Sequence, residues 1–110
     1  LRQSSKNKFS SASLLSLSEV TAASVISLYY DSLRELLEAI AAEKGYKIYN
    51  HECYGCFLKE ILGREELAED YAPLRKIRNA VNYYAQVLSV EDAQRVVQDI
   101  KSLIDRCKKL

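Results

Sequence analysis

Leu28-Tyr29-Tyr30-Asp31-Ser32-Leu33-Arg34-Glu35-Leu36-Leu37 lies in the middle of a segment whose apolar residues return every three or four positions. Val20, Ile26, Tyr29, Tyr30, Leu33, Leu36, Leu37 and Ile40 follow the 3.6-residue period of a helix, while Asp31, Arg34, Glu35, Glu38 and Lys44 take the other side. Ser16 and Glu19 stand at capping-box spacing ahead of it, and Gly45 offers a left-handed stop behind it. The segment reads as a helix of about 26 residues, well above the ~11–12 of an average globular helix and typical of a bundle.

Working outward, residues 1–18 hold seven serines. Phe9, Ala12 and Leu15 predict a short first helix, with residues 1–8 frayed. Beyond Gly45, Tyr46 to Tyr49 is a connection and Asn50 an N-cap for a third helix that stops at Gly63. Its predicted apolar face is Cys53, Cys56, Phe57 and Ile61. The acidic run Glu65, Glu66, Glu69, Asp70 reads as a solvated helical turn or a linker. Pro73 suits the first turn of a fourth helix, with Leu74, Ile77, Val81, Tyr84 and Leu88 as its stripe. Ser89 and Asp92 resemble a capping box for the last helix, striped by Ala93, Val96, Val97, Ile100, Leu103, Ile104 and Cys107. No segment alternates with period two. The expected fold is all-α, one domain over residues 1–110: an antiparallel up-and-down bundle of four main helices plus a short N-terminal helix.

Composition agrees with that reading. The chain has 110 residues, 48% hydrophobic and 28% charged, enough for one globular core and too few for two. Three Gly and one Pro leave few turns for many short strands. The net charge is +1, so nucleic acid would have to be met by a local patch rather than a basic surface. No apolar run approaches the ~18 residues of a membrane span. No signal-peptide pattern is present, although the chain opens at Leu1 rather than Met, which leaves a preceding targeting segment open. Three cysteines, an odd and sparse set, point to a reduced, cytoplasmic protein.

A polar patch lies beside the stripe of the fourth helix, in Arg75-Lys76-Ile77-Arg78-Asn79-Ala80-Val81-Asn82-Tyr83-Tyr84. Arg78 and Asn82 are four apart, as are Asn79 and Tyr83. A guanidinium, two amides and a phenol suit a phosphate or a nucleotide, and also occur on an ordinary solvated helix face. Cys53-Tyr54-Gly55-Cys56 has CxxC spacing, but a thioredoxin-type site needs a strand-to-helix junction. With His51 and Cys107 the two cysteines would sum to a Cys3His zinc set. Their place on an apolar face favours instead reduced, metal-free core thiols. His51, the only histidine, is a general-base candidate or a polar helix-start residue. Of the paired tyrosines, Tyr30 and Tyr84 read as core, with Tyr29 and Tyr83 undecided. There is no Gly-rich phosphate loop, GxSxG or HExxH.

Taken together these residues resemble the HEPN family (higher eukaryotes and prokaryotes nucleotide-binding), in its archaeal-type single-domain form, from about Ala12 through the last helix. Leu28 to Leu37 is similar to the family's double-Tyr second helix. Gly45-Tyr46-Lys47-Ile48-Tyr49-Asn50-His51-Glu52-Cys53 resembles its connector. Arg78-Asn79-Ala80-Val81-Asn82-Tyr83-Tyr84 stands in the place of its Arg-Asn…His motif. The resemblance implies a helical bundle that dimerises. It also implies kinship with metal-independent ribonucleases, often toxins paired with a small nucleotidyltransferase antitoxin. In those enzymes the Arg and the following polar residue hold phosphate, and the His moves protons at the ribose 2′-OH. Arg78 and Asn79 match. The His does not, since its positions carry Tyr83, Tyr84 and Ala85.

A phenol with a pKa near ~10 is protonated at neutral pH and makes a poor general base, though it can stack on a base or donate a hydrogen bond. The expectation is therefore an RNA- or nucleotide-binding homodimer, non-catalytic or weakly active, working with a nucleotidyltransferase-type partner. It binds through Arg78, Asn79, Asn82 and Tyr83, and needs no metal or cofactor. The alternative is an active metal-independent ribonuclease, with Arg78 and Tyr83 as catalytic candidates. A small zinc-stabilised helical interaction domain is a distant third.

Overall fold

A computed structural model describes residues 2–50, 52–83 and 88–110, apart from the side chains of Glu52 and Tyr83. The described residues form α1 (Arg2–Ser13), α2 (Ala22–Glu43), α3 (Glu52–Cys56), a π-wound turn over Phe57–Ile61, α4 (Glu65–Tyr83) and α5 (Val90–Cys107). No strand occurs among them, so the fold is all-α as expected. No helix of the described residues is long and apolar enough to cross a membrane.

Helix α2 packs against α1, α3, α4 and α5. Twelve of its 22 residues are buried, too many for a single stripe. Tyr29 and Tyr30 are both inside, at 3% and 0% exposure, so the first of the pair is core as well. The helix is shorter than predicted. Ser16 and Glu19 do not cap it, and Val20 is outside the helix and 92% exposed. A reciprocal pair instead closes the turn just ahead of the helix: the Ser18 N–H donates to Thr21 Oγ1 at 2.9 Å, and the Thr21 N–H to Ser18 Oγ at 3.2 Å. The other end stops as expected. Gly45 has φ +84°, and the Tyr46 N–H donates to the Ala41 carbonyl at 2.8 Å while that of Gly45 reaches Ala42 at 3.0 Å. That is the Schellman pattern, which needs a residue free to enter the left-handed region.

Helix α1 corrects the N-terminal reading. It reaches back to Arg2, so residues 2–8 are helical rather than a frayed lead, and Leu15 lies beyond its end. Apolar periodicity could not announce it, because polar contacts to α2 hold much of it. Arg2 forks onto Glu43 at 2.7 and 3.0 Å. Ser5 Oγ donates to the Ser32 carbonyl at 2.6 Å, and Ser32 Oγ to the Ser5 carbonyl at 2.8 Å. Phe9 meets Tyr29 edge-on at 5.2 Å. These pairs run α1 antiparallel to α2. Among the described helices the short one is thus α3, not the first.

In the third segment Asn50 caps as predicted, its Oδ1 accepting from the Cys53 N–H at 3.1 Å. Its buried face is Tyr54, Phe57 and Leu58, whereas Cys53, Cys56 and Ile61 are exposed. The predicted face was one residue out of phase at the start. The π turn then breaks the α period: the Leu62 N–H donates to the Phe57 carbonyl, five residues back, at 3.1 Å. Gly63, at φ +65°, closes the segment.

Helix α4 begins at Glu65, so the acidic run is its first two turns rather than a linker. Glu65 and Glu66 complement the unpaired N–H groups of a helix start. Pro73 is therefore interior, on the exposed side of the helix, where it removes a hydrogen bond to the carbonyl four residues back. Ser89 caps α5, its Oγ accepting from the Asp92 N–H at 3.2 Å, and all seven predicted stripe residues of α5 are buried. Lys101 lies over the Tyr29 ring at 5.1 Å. Tyr84 and His51 lie outside the described residues.

Replacing Pro73 with Ala should restore the missing backbone bond. The expected gain in urea unfolding is up to ~3 kcal/mol at an unchanged denaturant slope.

Candidate functional site

Extended back through the acidic run, α4 carries Leu67, Tyr71, Leu74, Arg78 and Val81 at steps of four and three. Leu67, Tyr71, Leu74 and Val81 are buried. Arg78 thus occupies a position on the inward stripe, and its side chain is only 13% exposed. The sequence sets it beside the stripe, because a helix expected to begin at Pro73 leaves out the first two members and with them the phase.

An arginine on an inward stripe needs partners for its charge. Its guanidinium carbon lies 5.4 Å from the centre of the Tyr30 ring, within the range of a cation–π contact. Its Nη2 is 3.6 Å from Asp31 Oδ1. One turn on, Ser27 Oγ donates to Asn82 Oδ1 at 2.7 Å. Ser27 and Asp31 are four apart on α2, as Arg78 and Asn82 are on α4. Two antiparallel helices are therefore joined by a two-rung polar brace. Asp31 also faces Arg34 Nε at 3.8 Å, and Arg34 Nη1 reaches Glu38 at 3.4 Å.

Beneath the brace lies a tyrosine cluster. The Tyr30 and Tyr71 hydroxyls are 2.6 Å apart, with their rings stacked at 6.0 Å. Tyr54 of α3 meets Tyr71 edge-on at 6.5 Å. Burial pushes the Tyr71 phenol well above its ordinary range, and neighbouring Tyr30 adds to the shift. Burial also raises Tyr30, against the hydrogen bond from Tyr71 and the charges of Arg78, Arg75 and Arg34. Tyr54 is raised by burial, then by Glu38. These phenols are fixed in the neutral form at physiological pH. They can donate or share a proton in a hydrogen bond, but they are no reservoir of phenolate.

The four predicted binding residues are thus distributed as follows. Arg78 and Asn82 are both tied to α2, Asn79 is half-buried, and Tyr83 ends α4 with its side chain outside the described residues. Ser27, Asp31 and Tyr71 were not singled out as site residues. The 67-71-74-78-81 spacing could have found Tyr71, and the place of Asp31 directly after the double Tyr could have suggested a partner for an arginine. The candidate general base His51 lies outside the description.

The cysteines separate. Cys107 is fully buried, and burial pushes its thiol up to about 11. Cys53 and Cys56 are exposed, which overturns their reading as core thiols. Among the described residues no group of three or more His, Cys, Asp or Glu is placed to hold a metal ion. A crevice of about 250 Å³ between α4 and α5, lined by Asp70, Leu74, Ile77, Asp99 and Arg106 among others, includes none of the four patch residues.

Comparison of the chain with protein-family models, with curated proteins and with solved structures finds no match.

The tyrosine cluster makes the fold sensitive to alkali. A phenol whose folded pKa is raised keeps its stabilising effect below the unfolded value of about 10 and loses it as pH climbs through the folded value. Stability followed by circular dichroism should therefore fall steeply above pH ~10. Tyr71→Phe should lessen that fall, while lowering neutral-pH stability by about 1–2 kcal/mol for the lost hydroxyl pair.

Proposed function

We propose that the chain is a HEPN-like domain that binds RNA or a nucleotide through the α4 face of Arg78, Asn79, Asn82 and Tyr83. In this reading α1, α2, α4 and α5 are the four main helices of an antiparallel up-and-down bundle. Two copies pair with part of α4 at or near their interface, and a nucleotidyltransferase-type protein is the partner. The domain is non-catalytic or weakly active, and it works in the cytoplasm.

One observation supports the reading above the others. The double-Tyr segment of α2 and the Arg-Asn segment of α4, which carry the resemblance separately, meet through Arg78, Tyr30 and Asp31. Packing over Tyr30 restricts the guanidinium, which leaves less side-chain entropy to lose on binding. At 3.6 Å, Asp31 is a weak, exchangeable counterion, beyond the 2.7–2.9 Å of a tight charge-assisted bond. A phosphate oxygen pair is the better match for the guanidinium fork. Binding would exchange Asp31 for phosphate while the stack on Tyr30 remains. Asn79, next to Arg78 in sequence, would meet sugar or phosphate beside it.

Catalysis fits less well. Transfer at a ribose hydroxyl needs a base that titrates near neutrality, and the buried phenols beneath this face are shifted away from it.

The charge exchange gives opposite signs for two substitutions. Asp31→Asn should tighten binding of single-stranded RNA several-fold, because it removes the competing carboxylate. Arg78→Lys should weaken binding about tenfold or more although the charge is kept, since a point charge cannot hold phosphate bidentately. Fluorescence anisotropy at fixed ionic strength measures both. Unchanged binding in Arg78→Lys, at retained helicity, would remove this face from the function. Rapid RNA cleavage by the wild type in the presence of a chelator would replace the binding reading with the ribonuclease one.

The dimer has its own test. Sedimentation equilibrium at tens of micromolar, on the scale of weak interfaces, should show two chains per particle. A monomer throughout would defeat the pairing.

A further inference from the structure

The CxxC of the third segment is left unused by the α2–α4 face, and its surroundings differ from those of a core thiol pair. Cys53 and Cys56 are both exposed at the surface of α3. The two residues between them are not equivalent. Tyr54 is buried, at 3% exposure, and its ring lies edge-on to Tyr71. Gly55 is half-buried, and a Cβ there would meet Tyr71 Cδ2 only at an ordinary 3.8 Å.

From this arrangement we propose that Cys53 and Cys56 are a reversible dithiol–disulfide pair, oxidised by low-molecular-weight disulfides, and that its closure repositions Tyr54 against the Tyr71–Tyr30 pair.

The geometry allows closure and makes it consequential. Positions three apart on an α-helix have Cα atoms about 5 Å apart, inside the roughly 4.4–6.8 Å span that disulfides bridge. Their Cβ atoms are about 5–6 Å apart, whereas a disulfide brings them to about 3.8 Å. Bond formation must therefore draw the turn in by 1–2 Å or so. The helix has only five residues before the π-wound turn begins. Gly55 is the residue best able to absorb the backbone change. Tyr54, held between the two cysteines, moves with the turn. Its buried ring transmits that movement to Tyr71, whose hydroxyl is bonded to Tyr30.

The chemistry balances without a metal. One cysteine thiolate attacks a sulfur of the small disulfide, forming a mixed disulfide and expelling one small thiolate. The second cysteine thiolate attacks the protein sulfur of that mixed disulfide. The Cys53–Cys56 bond forms and the second small thiolate leaves. The two protons lost by the cysteines pass to the two leaving thiolates, and two electrons pass to the small disulfide. Excess small thiol runs the sequence backwards. Cys107 takes no part: it is fully buried, so it serves as an internal reference.

The pair is tested independently of any RNA binding. The whole chain is equilibrated over a series of reduced and oxidised glutathione mixtures, quenched with acid and alkylated under denaturing conditions. The number of alkylated thiols should fall from three to one as the mixture becomes oxidising. The protein should stay free of intermolecular links and return to three on adding dithiothreitol. Near-ultraviolet circular dichroism, which reads buried tyrosines, should shift in step with the thiol count. Cys53→Ser should abolish that shift. Three alkylated thiols at every mixture, or oxidation yielding only chains linked to each other or to glutathione, would overturn the pair. An intramolecular disulfide with an unaltered tyrosine spectrum, or the same spectral shift in Cys53→Ser, would overturn the coupling to Tyr54.

Discussion

The structure depends on α2 being buried on more than one side. A helix with one apolar stripe can lie on a surface, but one that hides Val25, Ile26, Tyr29, Tyr30, Leu33, Leu36, Leu37 and Ile40 must be enclosed. The rest of the chain supplies the enclosure. Helix α5 brings a regular apolar stripe. Helix α1 brings serines, which are small enough to let the two backbones approach and polar enough to bond across the gap. Helix α4 brings a stripe interrupted by an arginine, and the candidate site grows from that interruption. Burial of α2 and the half-buried arginine on the inward stripe of α4 are thus two results of one packing problem.

Placing Arg78 on an inward stripe is unfavourable unless its charge is compensated. A guanidinium is planar and weakly hydrated, which makes it the cation best suited to such a position. Here it is met by a ring from below and a carboxylate from the side. Neither contact is of the tightest kind. The ring contact is sequence-local to the double Tyr, and the carboxylate belongs to the very next residue. That economy explains why the short stretch Tyr30-Asp31 matters more than its length suggests.

Much of this was legible before any coordinates. Strong 3.6-residue periodicity gave α5 and the core of α2, and Gly45, Asn50 and Ser89 marked boundaries that the backbone confirms. The failures have physical causes. Helix α1 lacks periodicity because hydrogen bonds and ion pairs do much of the holding. Glu65 to Asp70 fits a solvated helical turn or a linker equally, because charge alone does not tell them apart; at a helix start it complements unpaired N–H groups. Pro73 fits a helix start in the sequence although it lies two turns inside α4. Those two readings hid the phase of α4, so Arg78 was recognised by residue type while its burial, its contact with Tyr30 and its pairing with Asp31 were not. The cysteines fall outside the core because Tyr54, Phe57 and Leu58, one position on from Cys53, set the inward phase of that segment.

That segment has a wider consequence. A π turn is an α turn carrying one residue too many, with the surplus taken up as a bulge. Between Phe57 and Ile61 the chain therefore holds a spare residue of slack. Together with the turn at Gly63, that slack frees the helices on either side from sharing a common rotation. The face that α3 turns inward and the face that α4 turns toward α2 can drift separately as sequences diverge. A chain lacking one residue here could close the turn as ordinary α-helix, with Tyr54 on one side and Arg78 on the other left nearly where they stand. The bulge works as a slip joint in the sequence, and length changes in this protein should collect there first.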